Sequence, residues 1–270
     1  NPSLADCNIF NNIAWIDGGG IYSDDSSPLF SRCSISGNEA LVDGGGIISV
    51  VSNPNDPNID DCTITGCTIS DNNAWEGGGG LYLSDTDANV TDCDISGNYA
   101  NFAGGVVCVE SDPNIIGCTI SDNNALEDGG GLYLSGSDAN VSDCNITGND
   151  ANCAGGIICV GGSPNINDCN ITGNNALEDG GGICCSDSNS PTINKCRISG
   201  NKAKYAAGVL CVSSRVNIKA SKISRNIAIE DGGGLYCSGC DPNVDGSEIH
   251  NNKAKYASGV LCVFKGRIQA

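Results

Sequence analysis

Apolar and polar residues alternate along this chain in short runs, and the runs return as a unit of nearly constant length. In residues 165–171 the apolar positions are Ile166, Cys169 and Ile171, with a local irregularity between the first two. A polar turn, Thr172-Gly173-Asn174-Asn175, and Ala176 follow. Gly180-Gly181-Gly182 then leads into a second run, in which Ile183 and Cys185 share one face and Cys184 takes the other. Three short straight pieces with tight corners predict one turn of a parallel β-helix. A helical repeat would need about 10–12 residues of helical periodicity, and none is present.

The motif Ile-x-x-Asn-x-Ala occurs ten times, with its asparagine at Asn12, Asn38, Asn72, Asn98, Asn123, Asn149, Asn174, Asn201, Asn226 and Asn252. From Asn72 onward the steps are 26, 25, 26, 25, 27, 25 and 26 residues. Units of this length cannot bury an apolar side alone and must stack. The expectation is an all-β solenoid of about ten coils of 25–27 residues, a single domain over residues 1–270, with coils about 4.8 Å apart and a rod on the order of 48 Å long.

Stacking turns repeated residues into columns. One isoleucine column runs from Ile9 to Ile249. A cysteine column runs Cys7, Cys33, Cys67 (or Cys62), Cys93, Cys118, Cys144, Cys169 and Cys196, then passes to Ala220 and Gly246. A second holds Cys108, Cys159, Cys185, Cys211, Cys237 and Cys262, with Leu83 and Leu134 substituting. Replacement by small or apolar residues marks these columns as packing sites, with buried free thiols acting as small apolar groups. The asparagines are assigned a structural ladder, because a side-chain amide stacked on its copy donates to one neighbour and accepts from the other. The glycine triplet is expected to supply a positive φ or a close approach between coils.

The outward face of the Gly-led strand reads as apolar: Tyr22, Ile48, Tyr82, Val107, Tyr133, Ile158, Cys184, Leu210, Tyr236 and Leu261. A continuous apolar stripe on a rod is a candidate interaction surface; a strand shifted by one residue would bury it instead. Two departures break the repeat. The coil at about 47–72 is enlarged and must bulge, and a doubled period of 51 alternates Ala-Leu-Glu-Asp-Gly-Gly-Gly with Ala-Asn-Cys-Ala-Gly-Gly or Ala-Lys-Tyr-Ala.

Charge adds an asymmetry. Residues 1–194 hold 27 acidic residues and one basic one, Arg32, a balance of −26, whereas residues 195–270 hold 12 basic and 5 acidic residues, a balance of +7. The total of −19 argues against nucleic acid, whose phosphates need a basic surface. No run of about 18 apolar residues offers a membrane span.

Candidate chemistry is sparse. Only Cys237-x-x-Cys240, near the single His250, approaches a zinc spacing, and no cofactor or metal is expected. Cys62, Cys153, Cys184 and Cys240, outside the main ladders, are the candidates for disulfide pairing. The acids recur in columns (Glu127-Asp128, Glu178-Asp179, Glu230-Asp231) rather than forming the one-off constellation that catalysis requires, so no catalytic residue is assigned.

Gly130-Gly131-Leu132 before a strand and Ile146-Thr147-Gly148-Asn149 after one resemble the repeats of polymorphic outer-membrane proteins and related bacterial extracellular right-handed β-helix proteins, over essentially the whole chain. The resemblance implies a right-handed helix, surface display, and structural or adhesive roles. The expectation is a non-catalytic extracellular or cell-surface rod. No capping segment is visible at either end, so copies are expected to join head to tail into filaments, a basic end meeting an acidic one. The alternatives are a carbohydrate-binding or polysaccharide-degrading β-helix, and an adhesin passenger that meets a glycan or another surface protein through the stripe.

Overall fold

The computed structural model describes residues 2–52, 62–188 and 190–263. Most of the extra residues of the enlarged coil, 53–61, lie outside the described residues. Nine of the described coils carry four strands and the last carries three. In one coil these are Asn140–Ser142, Asn145–Thr147, Asp150–Ala151 and Ile157–Val160. Among the described residues they stack into four parallel sheets of ten, ten, nine and ten strands. In every sheet the strand order is the chain order, so the chain climbs one coil at a time. This is a parallel β-helix of about ten turns, with no α-helix among the described residues.

The register follows the repeat. Ile9 pairs with Ile35, Ile69 with Ile95, and Ile171 with Ile198, like upon like. These isoleucines share a continuous core with Val90, Ile115 and Val141 of the first sheet and Leu81, Leu132 and Ile183 of the fourth. A fully buried side chain of this size contributes about 1.5–3 kcal/mol. The column therefore gives each coil a reason to sit directly on the last.

The irregularity between Ile166 and Cys169 has a backbone cause. Asp168 is left-handed at φ 52°, and the same corner is left-handed in other coils at Asp92, Asp143, Lys195, Ala220 and Gly246. One such residue swings the chain from the first sheet to the second and brings Ile166 and Cys169 to the same interior. Aspartate and glycine suit it because they tolerate this conformation better than most residues.

That corner also corrects the cysteine column. Ala220 and Gly246 occupy the left-handed position, so the column continues one residue later, at Ser221 and Ser247. The Cys196 amide donates to Ser221 Oγ and the Ser221 amide to Ser247 Oγ, each at 3.0 Å, while the Cys33 amide approaches Cys67 Sγ at 3.4 Å. Cys67 is thus the ladder member. Cys62 stands below Ala88, whose neighbour Asn89 donates to the Cys62 carbonyl. No disulfide joins any of the eighteen cysteines, Cys62, Cys153, Cys184 and Cys240 included.

The asparagines form a bonded ladder in the interior. Asn123 Nδ2 donates to Asn149 Oδ1 at 3.0 Å and to the Ile95 carbonyl at 2.9 Å, and the Asn123 amide donates to the same Oδ1 at 3.0 Å. The pattern repeats at Asn38, Asn72, Asn98, Asn149, Asn174, Asn201 and Asn226, whose own Nδ2 reaches Asn252. Each interior amide thereby uses both donors and both acceptor sites without water.

Candidate interaction surfaces

The corner between the third and fourth sheets sets the surface of the rod. It comes in two lengths: six residues lie between Ala125 and Leu132, and five between Ala151 and Ile157. This one-residue difference produces the alternating 25- and 26-residue steps and hence the doubled period. Both corners contain a left-handed residue just before the fourth strand. Long corners use glycine there, as at Gly180 (φ 68°), and short ones alanine, as at Ala154 (φ 55°) and Ala206 (φ 52°). The next glycine serves close approach, since a Cβ on Gly181 would collide with the Lys202 carbonyl of the following coil.

These corners overturn the exposed stripe expected on the fourth sheet. Val107, Ile158 and Leu210 are only 3–6% exposed, with Ile48 and Cys184 similarly covered. Tyr82, Tyr133, Tyr236 and Leu261 are partly buried, which leaves Tyr22 as the well-exposed member. The strand has not slipped, because Ile157 and Cys159 still point inward. The corner folds back over the outer face instead. Ala154 and Ala206 pack on Ile158, Cys184 and Leu210, with Tyr133 and Tyr236 beside them, as a second small apolar cluster.

The exposed apolar ridge runs along the corner itself. Trp15, Trp75, Leu126, Leu177 and Ile229 each follow the ladder alanine in a long corner and are 55–83% exposed. From Trp75 onward they recur every second coil, about 9.6 Å apart along the axis. Short corners place Asn101, Asn152, Lys204 or Lys255 between them. Sequence reasoning missed this ridge because a large apolar residue in a turn carries no strand periodicity. The recurring Ala-Leu-Glu-Asp was the available signal.

Acidic residues beside the ridge sit in unlike surroundings. Glu178 accepts from Lys204 Nζ at 2.7 Å, and Glu230 from Lys255 Nζ at 2.8 Å. Those ammonium groups also lie 5.3 Å and 5.2 Å from the ring centres of Tyr205 and Tyr256. Asp43 is different: its Oδ1 accepts the Gly77 amide at 2.7 Å, and burial, reinforced by Asp17 and Glu76, pushes its carboxyl up to about 6 despite that bond. Burial and the Asp43 charge likewise push Tyr82 up to about 12. Around Asp43 opens a cleft of about 210 Å³ walled by Glu76, Tyr82, Phe102, Val107 and Tyr133.

The cysteines offer no exposed nucleophile in the main ladder. The neighbouring Cys144 thiol, followed by burial, pushes Cys118 up to about 12. Cys240 moves the other way, to about 6, chiefly through side-chain hydrogen bonding with Cys211, but it is buried, and its Sγ donates to the Cys211 carbonyl at 3.4 Å. Among the described residues no group of three or more His, Cys, Asp or Glu side chains is arranged to hold a metal ion, and no helix is long and apolar enough to cross a membrane.

Four stacked parallel sheets with an inward asparagine ladder define the class as a parallel β-helix. The sequence matches the family described as right-handed β-helix region over residues 1–167 and again over 114–269, and the chain belongs to that family. No curated protein and no solved structure matches it.

Proposed function

We propose that this chain is a non-catalytic structural or adhesive rod of the cell surface or extracellular space, whose copies join head to tail through opposite charge. The observation that carries this reading is the strand order. Because each sheet stacks in chain order, the acidic excess before residue 195 and the basic excess after it become, for the described residues, separation along the axis. A rod whose coils pass from acidic to basic along its axis attracts its own copies lengthwise, a heterologous contact that propagates into open filaments.

The surface chemistry supports the non-catalytic part. Asp128, Asp179 and Asp231 recur at the same corner of alternate coils, and Asp128 and Asp179 are both shifted upward by burial. Repetition of this kind builds a surface rather than a reaction centre. The resemblance to polymorphic outer-membrane protein repeats supports display at a surface, and the ridge from Trp15 to Ile229 supplies apolar area for adhesion or lateral packing.

Light scattering at low ionic strength tests the charge contact. The wild type is expected to form assemblies. A variant carrying Lys202→Glu, Arg225→Glu and Lys253→Glu, all exposed positions, is expected to remain dispersed. Equal scattering from the two proteins would refute the proposal.

A further inference from the structure

We infer that the cleft formed by Asp43, Glu76, Tyr82, Phe102 and Tyr133 is a binding site for an organic ammonium ion, such as a primary alkylamine or a lysine side chain. The repeat itself supplies the comparison. Glu76 aligns with Glu178 and Glu230, Phe102 with Tyr205 and Tyr256, and Asn101 with Lys204 and Lys255, one coil pair or more apart. In the later coils the chain fills this position with its own cation. Lys204 and Lys255 each place an ammonium on the glutamate and over the neighbouring ring. At the earlier coil the carboxylate and the ring remain, but Asn101 supplies no charge.

The earlier coil is also shaped differently. Gly77 stands where Asp128, Asp179 and Asp231 stand in other long corners. A Cβ there would lie 3.0 Å from Asp43 Oδ1 and 3.3 Å from Tyr82 Cε2, so the glycine keeps the cleft open. Phe102 and Tyr133 meet edge to face, with centroids 6.1 Å apart, and close one wall. Two carboxylates against three aromatic rings suit a cation with an alkyl stem: ring faces attract positive charge, and the apolar wall takes the methylenes. The surrounding −26 balance favours the same sign of ligand.

Binding is tied to the ionisation of Asp43. Its carboxyl titrates near 6, with Asp17 and Glu76 as the charged neighbours and Tyr82 held neutral. A cation favours the carboxylate, so affinity is present above that value and falls as pH drops through it.

An NMR titration with n-butylammonium chloride, and with n-butanol as the neutral control, tests the site. The expected result is that the amine shifts the ring signals of Phe102, Tyr82 and Tyr133 and binds about tenfold or more tighter than the alcohol, with affinity lost between about pH 8 and pH 5. Asn101→Lys installs the cation found at Lys204 and Lys255 and is expected to lower amine affinity about tenfold or more, with signals elsewhere on the rod unchanged; Phe102→Ala is expected to weaken binding in the same direction. Equal binding of amine and alcohol would overturn the inference. So would undiminished amine binding by Asn101→Lys, or shifts spread over the acidic surface rather than centred on these rings.

Discussion

At the scale of single residues, the asparagine ladder is where sequence and energetics meet most directly. Asn149 accepts from the amide and the Nδ2 of Asn123 and donates to the Ile120 carbonyl and to Asn174 Oδ1. Removing it strands several buried groups at once, each costing about 1–3 kcal/mol. Asn149→Ala is therefore expected to destabilise the protein by about 3 kcal/mol in urea unfolding. The exposed Asn145, whose amide meets Asn170 at 3.4 Å, is the control, and its alanine variant is expected to stay within about 0.5 kcal/mol of wild type. Equal effects at the two positions would show that the inner ladder is not a principal source of stability. These asparagines were legible as a structural column because they recur in all ten units. Gly77 was not, since its meaning lies in what other long corners carry and in the side chains that close around it.

At the scale of elements, the strands were readable and the corners were not. Alternation in residues such as Ile183, Cys184 and Cys185 places inward and outward faces correctly, as the fully buried Ile183 and Cys185 show. It says nothing of what lies over the outer face. Ala154 and Ala206 cover that face from a left-handed turn, a conformation that an alanine does not advertise in sequence. The same kind of turn hid the end of the cysteine column, because Ala220 takes the corner and Ser221 takes the column. The natural serines there lead to a prediction for the thiols. Cys169 is buried with its Sγ 3.2 Å from the Asn167 carbonyl, a geometry that a hydroxyl reproduces. Cys169→Ser is expected to cost under about 1 kcal/mol, whereas Cys169→Leu overfills the column and costs about 1–3 kcal/mol. Thermal unfolding of the two variants separates these outcomes, and a serine variant as damaged as the leucine one would contradict the packing assignment.

At the scale of the whole molecule, the consequence of chain-order stacking is that position in sequence becomes height along the rod. That converts a charge imbalance readable from composition into a dipole of the assembled solenoid, and repeated corners into a ridge. The ridge itself, Trp15 through Ile229, needed the structure. Its members alternate with polar residues only when coils are laid on one another. Charge-driven assembly is tested by sedimentation velocity of the wild-type chain as a function of ionic strength. Large species are expected at about 20 mM salt that collapse to a single small species by about 0.5 M, as screening shortens the reach of exposed charges to a few ångströms. A single small species across that whole range, at concentrations up to the solubility limit, would contradict it.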